Sequence, residues 1–378
     1  MEIKKLNLLV VLLTCMASCS NDETVDSNNL QDEGETTTVK FEMNAETRNY
    51  SSVLLRSANP PIITKDKFRI MAFKKSPTSE DYFYTQDVPT DQMQCNNNVL
   101  SGIARLPIGK YKFVSTYGLV NNSGFTLPTF IPKTSKLNND LQITHETING
   151  TSVLFLGKEA TLNDLQPYTL GLASTTNEPV SMSLSRAVAR VDVLFIQAKK
   201  TDGNYEEVSD STDVFGVTQL KGMEMQFTGL NKNVNLLGTK TTTDKASLFN
   251  VNFPIPNLEN VVTKGTSNED TKVGTAKFLS YDSIEEKDIK IGSAHVHGAY
   301  VLPFENAKTT TKLNLILTNS LGDQRTISVP GNLPLERNKV TLVKIYVLSG
   351  TVFNTDVNFN VTVDTVWAEA NSVNGEIN

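Results

Sequence analysis

Three cysteines and three histidines carry the most versatile chemistry in this 378-residue chain, and one of the six stands in a pattern that names its reaction. Cys19 closes the run Met16-Ala17-Ser18-Cys19, behind Lys4-Lys5 and a mostly apolar stretch from Leu6 to Leu13. A basic front, an apolar segment well short of the ~20 residues that span a bilayer, and small residues before a cut make a cleaved export signal. With cysteine as the first residue after the cut, the signal is of the lipoprotein type. The Cys19 thiol takes a thioether-linked diacylglycerol, and the amine freed by cleavage is acylated. At roughly 0.8 kcal/mol per buried methylene, several acyl chains make a lasting anchor. Cys15 competes as acceptor, although Leu13-Thr14 before it lacks the small residue beside the cut. An ordinary secretory signal with an incidental cysteine is the plainer alternative.

The remaining reactive side chains form no constellation. Cys15 leaves with the signal and Cys19 is lipidated, so Cys95 has no intramolecular partner and no disulfide framework is available. A Ser-His-Asp or Cys-His arrangement has to draw on His145, His295 or His297, and nothing marks one of them out. His295-Val296-His297 places two imidazoles on one face of a strand; that suits a metal only with a third ligand nearby, and is otherwise a pair on a strand surface. His145-Glu146 lies in a polar segment and reads as a solvated loop. Glu206-Glu207 and Glu285-Glu286 read as solvent-facing charge, although a glycosidase pair stays open for any two carboxylates. Neither a P-loop nor a dinucleotide pattern occurs. Trp367, the one tryptophan, suits packing better than a sugar platform, which uses several exposed aromatics. The expectation is a protein that is not an enzyme and needs no cofactor and no metal. A net charge of −6 without a concentrated basic patch argues against nucleic acid as a partner.

Whatever chemistry there is must be positioned by strands. The dominant period is two: Val39-Phe41-Met43 alternates with Lys40-Glu42, Phe68-Ile70-Ala72 with Arg69-Met71-Phe73, and Leu313-Leu315-Leu317 with Lys312-Asn314. Turn clusters interrupt these runs at Asn121-Asn122-Ser123-Gly124, Asn149-Gly150 and Leu321-Gly322-Asp323. Helical periodicity is scarce, and Asn163 to Gln166 allows one turn at most. Many short strands with frequent turns predict an all-β protein built of β-sandwiches. Residues 1–18 are the signal, and 19–35 form an acidic, Asn/Asp-rich disordered tether. The folded part divides at the polar stretch Lys199 to Asp213 into 36–200 and 201–378, or else that stretch is an elaborate hairpin loop.

Several segments resemble the fimbrillin family, the subunits of Bacteroidetes type V pili and their minor and anchor proteins. These are Leu184-Ser185-Arg186-Ala187-Val188-Ala189-Arg190-Val191-Asp192-Val193, Leu106-Pro107-Ile108-Gly109-Lys110-Tyr111, Tyr300-Val301-Leu302-Pro303 and Pro334-Leu335-Glu336-Arg337-Asn338-Lys339-Val340-Thr341. In the first, Ala187, Ala189, Val191 and Val193 share an apolar side, while Val188, Arg190 and Asp192 share the other. The acidic residues behind Cys19 likewise resemble the surface-export signal of Bacteroidetes lipoproteins, which implies the outer face of the outer membrane.

The resemblance implies two tandem transthyretin-like β-sandwich domains and assembly by strand exchange. An arginine-specific protease removes the first strand of a lipidated precursor, and the vacated groove accepts a C-terminal strand from another subunit. Two ends of this chain match those roles. Thr37 to Met43 reads as a strand, followed by the polar segment Asn44 to Asn49, which suits cleavage after Arg48; Arg56 is the alternative site. A permanent edge strand with an ordinary loop arginine is the other reading. At the back, in a tail over about 351–378, Val357, Phe359, Val361 and Val363 form one apolar face, with Trp367 in phase. This segment is either the donor strand or the last strand of its own sandwich. The implied function is a structural subunit, stalk or accessory pilin, of a surface fimbria supporting adhesion. Its partners are then other fimbrial subunits, the outer membrane through the lipid, and the protease. The alternatives are a surface glycan-binding lipoprotein and a fimbrial anchor or tip protein.

Overall fold

Alternation of apolar and polar residues decides most of the architecture, because a period of two sorts each strand into a core row and a water row. The computed structural model describes residues 35–45, 63–119, 123–145, 147–148, 153–157, 161–172, 177–208, 214–216, 220–238, 248–255, 261–264, 270–272, 292–304, 311–348, 350–353 and 358–366. Among these, one 3-10 turn, Lys65–Lys67, is the single helical element, and the rest of the regular structure is β.

The N-terminal half contains β1 (Thr36–Ala45), β2 (Phe68–Lys75), β3 (Tyr82–Asp87), β4 (Gln94–Asn96), β5 (Val99–Pro107) and β6 (Gly109–Tyr117). It continues with β7 (Phe125–Thr126), β8 (Gln142–His145), β9 (Phe155–Gly157), β10 (Tyr168–Leu170) and β11 (Val180–Arg186). The C-terminal half begins with β12 (Ala189–Thr201), β13 (Asn204–Glu207), β14 (Leu220–Asn231), β15 (Asn233–Asn235), β16 (Leu248–Ile255) and β17 (Val261–Lys264). Then come β18 (Asp270–Lys272), β19 (Ala294–Val301), β20 (Lys312–Asn319), β21 (Gln324–Ser328), β22 (Val340–Leu348) and β23 (Asn358–Val366).

One nine-stranded sheet organises the N-terminal half, in the order β3-β2-β6-β9-β11-β1-β5-β4 with β10 added to β6. Its core gathers Val39, Phe41 and Met43 from β1, Leu100 and Leu106 from β5, Ile70 from β2, Phe113 from β6 and Leu184 from β11. In the C-terminal half, a seven-stranded sheet (β18-β17-β19-β12-β22-β23, with β13 on β12) and a four-stranded sheet (β16-β14-β20-β21) share one core. Val191, Val193 and Phe195 from the first meet Met225, Phe227, Leu315 and Leu317 from the second. The apolar row read from Leu313-Leu315-Leu317 is thus a core row, and Leu321-Gly322 turns the β20–β21 hairpin.

The two halves are joined by a third core and by hydrogen bonds. Met71, Val114 and Leu156 pack with Ala187, Val188, Leu236 and Leu302. A three-stranded sheet, β15-β8-β7, adds a strand of the C-terminal half to two of the N-terminal half. Arg337 donates to the carbonyls of Arg186 (3.1 Å) and Gly238 (2.5 Å) and to Ser185 Oγ (2.8 Å), tying the end of β11 to the turn that leads into β22. Beside it, Arg190 pairs with Asp192 at 2.9 Å, both buried, and the Tyr300 ring lies 5.0 Å from the guanidinium.

Two expectations differ from this arrangement. The chain passes from one sheet system to the other at Ala187-Val188, because β12 pairs with β19 and β22. Of the two readings of the polar stretch from Lys199, a domain boundary or a hairpin loop, its described part has the pairing of a hairpin between β12 and β13, with Lys199 opposite Glu206. Its cause is local: Asp202 and Gly203 both take positive φ, +49° and +86°, as a two-residue type I′ turn requires.

His145 is the second difference. It is not solvated but 1% exposed, stacked on Phe125 at 4.5 Å, with its backbone N–H donating to Lys232 O. Burial lowers its pKa from 6.5 to about 4, against a backbone hydrogen bond at Thr147 acting the other way. The unfolded chain therefore takes up this proton first, so the stabilisation is full above pH 6.5 and is lost as the pH falls to about 4. Roughly 3 kcal/mol is at stake, at about 1.4 kcal/mol per pKa unit. Urea unfolding at about pH 7 and about pH 4 should show a larger acid loss in the wild type than in His145→Gln; equal losses would remove His145 as the cause.

Candidate functional site

β1 was a candidate for an edge strand, and it lies inside its sheet. From Thr36 to Asn44 it pairs antiparallel with β5, Thr36 opposite Pro107 and Asn44 opposite Val99. On its other side Phe41 to Ala45 run parallel to Val180 to Leu184 of β11. Its inward row is Thr37, Val39, Phe41, Met43 and Ala45, each at most 2% exposed, while Thr38, Lys40, Glu42 and Asn44 face outward.

Val39, Phe41, Met43 and Ala45 belong to the core of the N-terminal half. Phe41 meets the Phe113 ring edge-on at 5.3 Å. Opposite Phe41 stands Gly102, where a Cβ would come within 2.7 Å of Met93 Cγ and 2.9 Å of Met93 Cα. The missing side chain at 102 is thus what lets Met93, 1% exposed, close over the strand. At the start of β1, ahead of its pairing with β11, Asn177 takes over: its amide donates to Thr37 Oγ1 (3.0 Å) and Thr38 O (3.3 Å). Arg105 donates to Thr36 Oγ1 at 3.3 Å from the outward side.

Burial of Val39, Phe41 and Met43 contributes roughly 5 to 9 kcal/mol, at about 1.5 to 3 kcal/mol each. Removing β1 would expose that surface and strip hydrogen bonds from both β5 and β11. A sheet opened in this way is stable only if a strand of matching pattern takes the place, which is the physical requirement for strand addition.

The other end of the chain supplies an edge. β23 pairs antiparallel with β22 along its whole length and ends the seven-stranded sheet. Phe359, Val361 and Val363 stand opposite Val347, Ile345 and Val343, the row of β22 that belongs to the core. In this single chain the backbone of the tail pairs with β22 of its own C-terminal half. Val357 and Trp367, like Cys19, Arg48 and Arg56, lie outside the described residues.

His295 and His297 are both on β19, and no group of three metal-ligating side chains occurs among the described residues. Cys95 is half-buried, its thiol donating to Ile63 O at 3.3 Å, and burial raises its pKa. Among the described residues no helix is long and apolar enough to cross a membrane. What the sequence had not marked is the buried Arg190–Asp192 pair and the Arg337 bridge; the polar side of Arg190 and Asp192 was visible as a pattern, its burial against Tyr300 was not.

A family model described as Mfa2, fimbrillin-A associated anchor proteins Mfa1 and Mfa2, matches residues 64–373. A search of the curated proteins finds no match. Among solved structures, a candidate adhesin from Bacteroides ovatus is 13% identical with a TM-score of 0.42, covering 89% of this chain and 97% of its own. The fimbrial anchor protein Mfa2 from Porphyromonas gingivalis is 10% identical with a TM-score of 0.36, covering 87% and 97%. The tip fimbrial protein Mfa3 from the same organism is 11% identical with a TM-score of 0.34, covering 88% and 100%.

Proposed function

This chain belongs to the family of fimbrillin-A associated anchor proteins Mfa1 and Mfa2, and on that premise we propose that it is a non-enzymatic fimbrial subunit of the cell surface that serves adhesion and assembles by strand exchange. In this reading residues 1–18 are removed, Cys19 carries lipid that holds the precursor to the outer membrane, and 19–35 tether the folded part. An arginine-specific protease then cuts after Arg48, or after Arg56. β1 leaves, and the groove between β5 and β11 takes a C-terminal strand containing Phe359, Val361 and Val363 from another fimbrial subunit. The two tandem modules are best divided at Ala187-Val188, where the sheets change.

One observation carries the reading: the strand nearest the tether is an interior strand with its whole inward row buried, so its loss creates a deep and specific acceptor. A second reading, an anchor that keeps β1 and its lipid, is favoured by the description of the family. Glycan binding has no comparable support. The large apolar side chains exposed among the described residues are Ile103, Ile131, Leu172, Leu248 and Leu321, none of them aromatic.

The N-terminus of the protein recovered from the cell surface decides between these roles. A chain beginning at Asn49 is expected for the exchanging subunit, and one beginning at Ser57 moves the cut to Arg56. A blocked, lipid-bearing Cys19 with β1 retained would overturn the subunit reading and leave the anchor.

A further inference from the structure

β1 lies between two walls, and the two are held very differently. On one side β11 also pairs with β9, runs on through Ala187-Val188 into β12, and has its end tied by Arg337, which donates to Arg186 O (3.1 Å) and Ser185 Oγ (2.8 Å). That wall cannot shift without disturbing the joint between the halves. On the other side, among the described residues, β5 pairs with β1 and β4 alone, and β4 with β5 alone. In backbone pairing, the β4–β5 hairpin hangs on the rest of the sheet through β1.

A strap completes the hairpin. Residues 88–93 carry the chain from β3, at one end of the sheet, to β4, at the other, and both Val88 and Met93 are buried in the core. The inward row of β5 is Leu100, Gly102, Ala104 and Leu106, so its middle offers that core very little side chain. Met93 supplies what is missing by lying over Gly102, where a Cβ would stand 2.7 Å from its Cγ and 2.9 Å from its Cα. Strap and hairpin are also fastened to the chain ahead of β2, by Lys65 Nζ donating to Asp91 O (2.8 Å) and the Cys95 thiol to Ile63 O (3.3 Å). Both ends of the segment have fixed points: the Val88 N–H donates to Ile70 O (2.8 Å), and Tyr111 Oη donates to Pro107 O (2.9 Å).

We propose that residues 89–106 form a hinged flap that opens as a unit between Val88 and Pro107 while β11 stays in place, with Met93 as its latch. Local openings of this kind follow contiguous supersecondary units, and a hairpin with its strap is such a unit. An interior strand needs one wall to move before it can leave, and this is the wall that can. The opening is a property of the fold itself; its use, as a sideways exit for β1, rests on the strand-exchange reading above.

Thiol labelling of the native, uncut chain reads the opening directly. Full chains with Cys15, Cys19 and Cys95 replaced by serine would carry Ala104→Cys on the flap or Val180→Cys on the fixed wall, two positions in the same core. Under native conditions the Ala104→Cys thiol should react at least about tenfold faster, as a local opening does against a global one. Two further substitutions separate the flap from general instability. Met93→Ala should speed the Ala104→Cys reaction about tenfold or more, whereas Leu156→Ala, in the core between the halves, should speed only the Val180→Cys reaction. Equal rates at the two positions, rising together with either substitution, would overturn the flap. A faster Val180→Cys thiol would make β11 the moving wall and overturn it as well. Hydrogen exchange of the unsubstituted chain makes the same comparison if a cysteine variant fails to fold. Amides of Leu100 to Leu106 should then exchange ahead of those of Met182 to Arg186, and simultaneous exchange or the reverse order would overturn the proposal. Chains whose flap opens as expected but which keep β1 after the segment behind it is cut would leave the flap standing and remove the strand-exchange reading.

Discussion

Phe41→Ala is expected to lower the unfolding free energy of the uncut chain by about 3 to 5 kcal/mol, the usual result of emptying a closed aromatic pocket. The ring is fully buried against Phe113 in the middle of β1, where neither β5 nor β11 can move in without breaking its own pairing. On the outward row, Lys40→Ala should stay within about 0.5 kcal/mol, because that side chain meets water. Urea unfolding followed by both fluorescence and circular dichroism gives the comparison. A loss under about 1 kcal/mol for Phe41→Ala would mean that β1 is not part of the cooperative core, and the acceptor groove would lose its energetic basis. The same substitution should also make β1 leave faster once its C-terminal link is cut, since the row that holds it is weakened at its largest member.

A loss of similar size is expected at the joint. Asp192 accepts from Arg190 Nε at 2.9 Å and from the Gly298 backbone N–H at 3.2 Å, and both members of the ion pair are buried. Gly298 is needed there: a Cβ would stand 1.7 Å from Val191 O, at the bulge where β12 and β19 change register. Asp192→Ala takes the nearest counter-charge from a buried guanidinium and should cost about 3 to 5 kcal/mol. The double variant Arg190→Met with Asp192→Leu removes both charges and should recover most of that loss, because replacing a buried pair by apolar groups is often close to neutral. If the double variant is as unstable as the single, the cost lies in packing or in the lost Gly298 contact, and the electrostatic account fails.

The strands were legible because their alternation is strong; their neighbours were not. Thr37 to Met43 showed a buried row and a wet row, yet nothing in those residues says that β5 and β11 flank them on both sides. The tail is the same case: its alternation predicts a strand with one covered face, and nothing in its residues names β22 as the strand beside it. His145 was misread because its own neighbours are polar, whereas the cover comes from Phe125 and from the backbone of Lys232 in the other half. At Asp202-Gly203 the signal was present and was outweighed by charge, since a polar run between strands looks alike whether it separates modules or turns a hairpin. Sequence alternation states that a face is covered and leaves open by what.

The position of β1 also sets an order of events in the making of the protein. Among the described residues it is the first strand to be synthesised, but its parallel partner ends only at Leu184, after β2 to β10. Until β11 exists, Val39, Phe41 and Met43 have at most one neighbouring strand, so this apolar row waits for its full place until nearly the whole N-terminal half has been made. Pairing between distant segments closes long loops and is slow, and an apolar strand left waiting is prone to wrong partners. A newly made chain therefore passes through a state with an open slot and a loose first strand, the same pair of surfaces that the proposed strand exchange requires a mature chain to separate again.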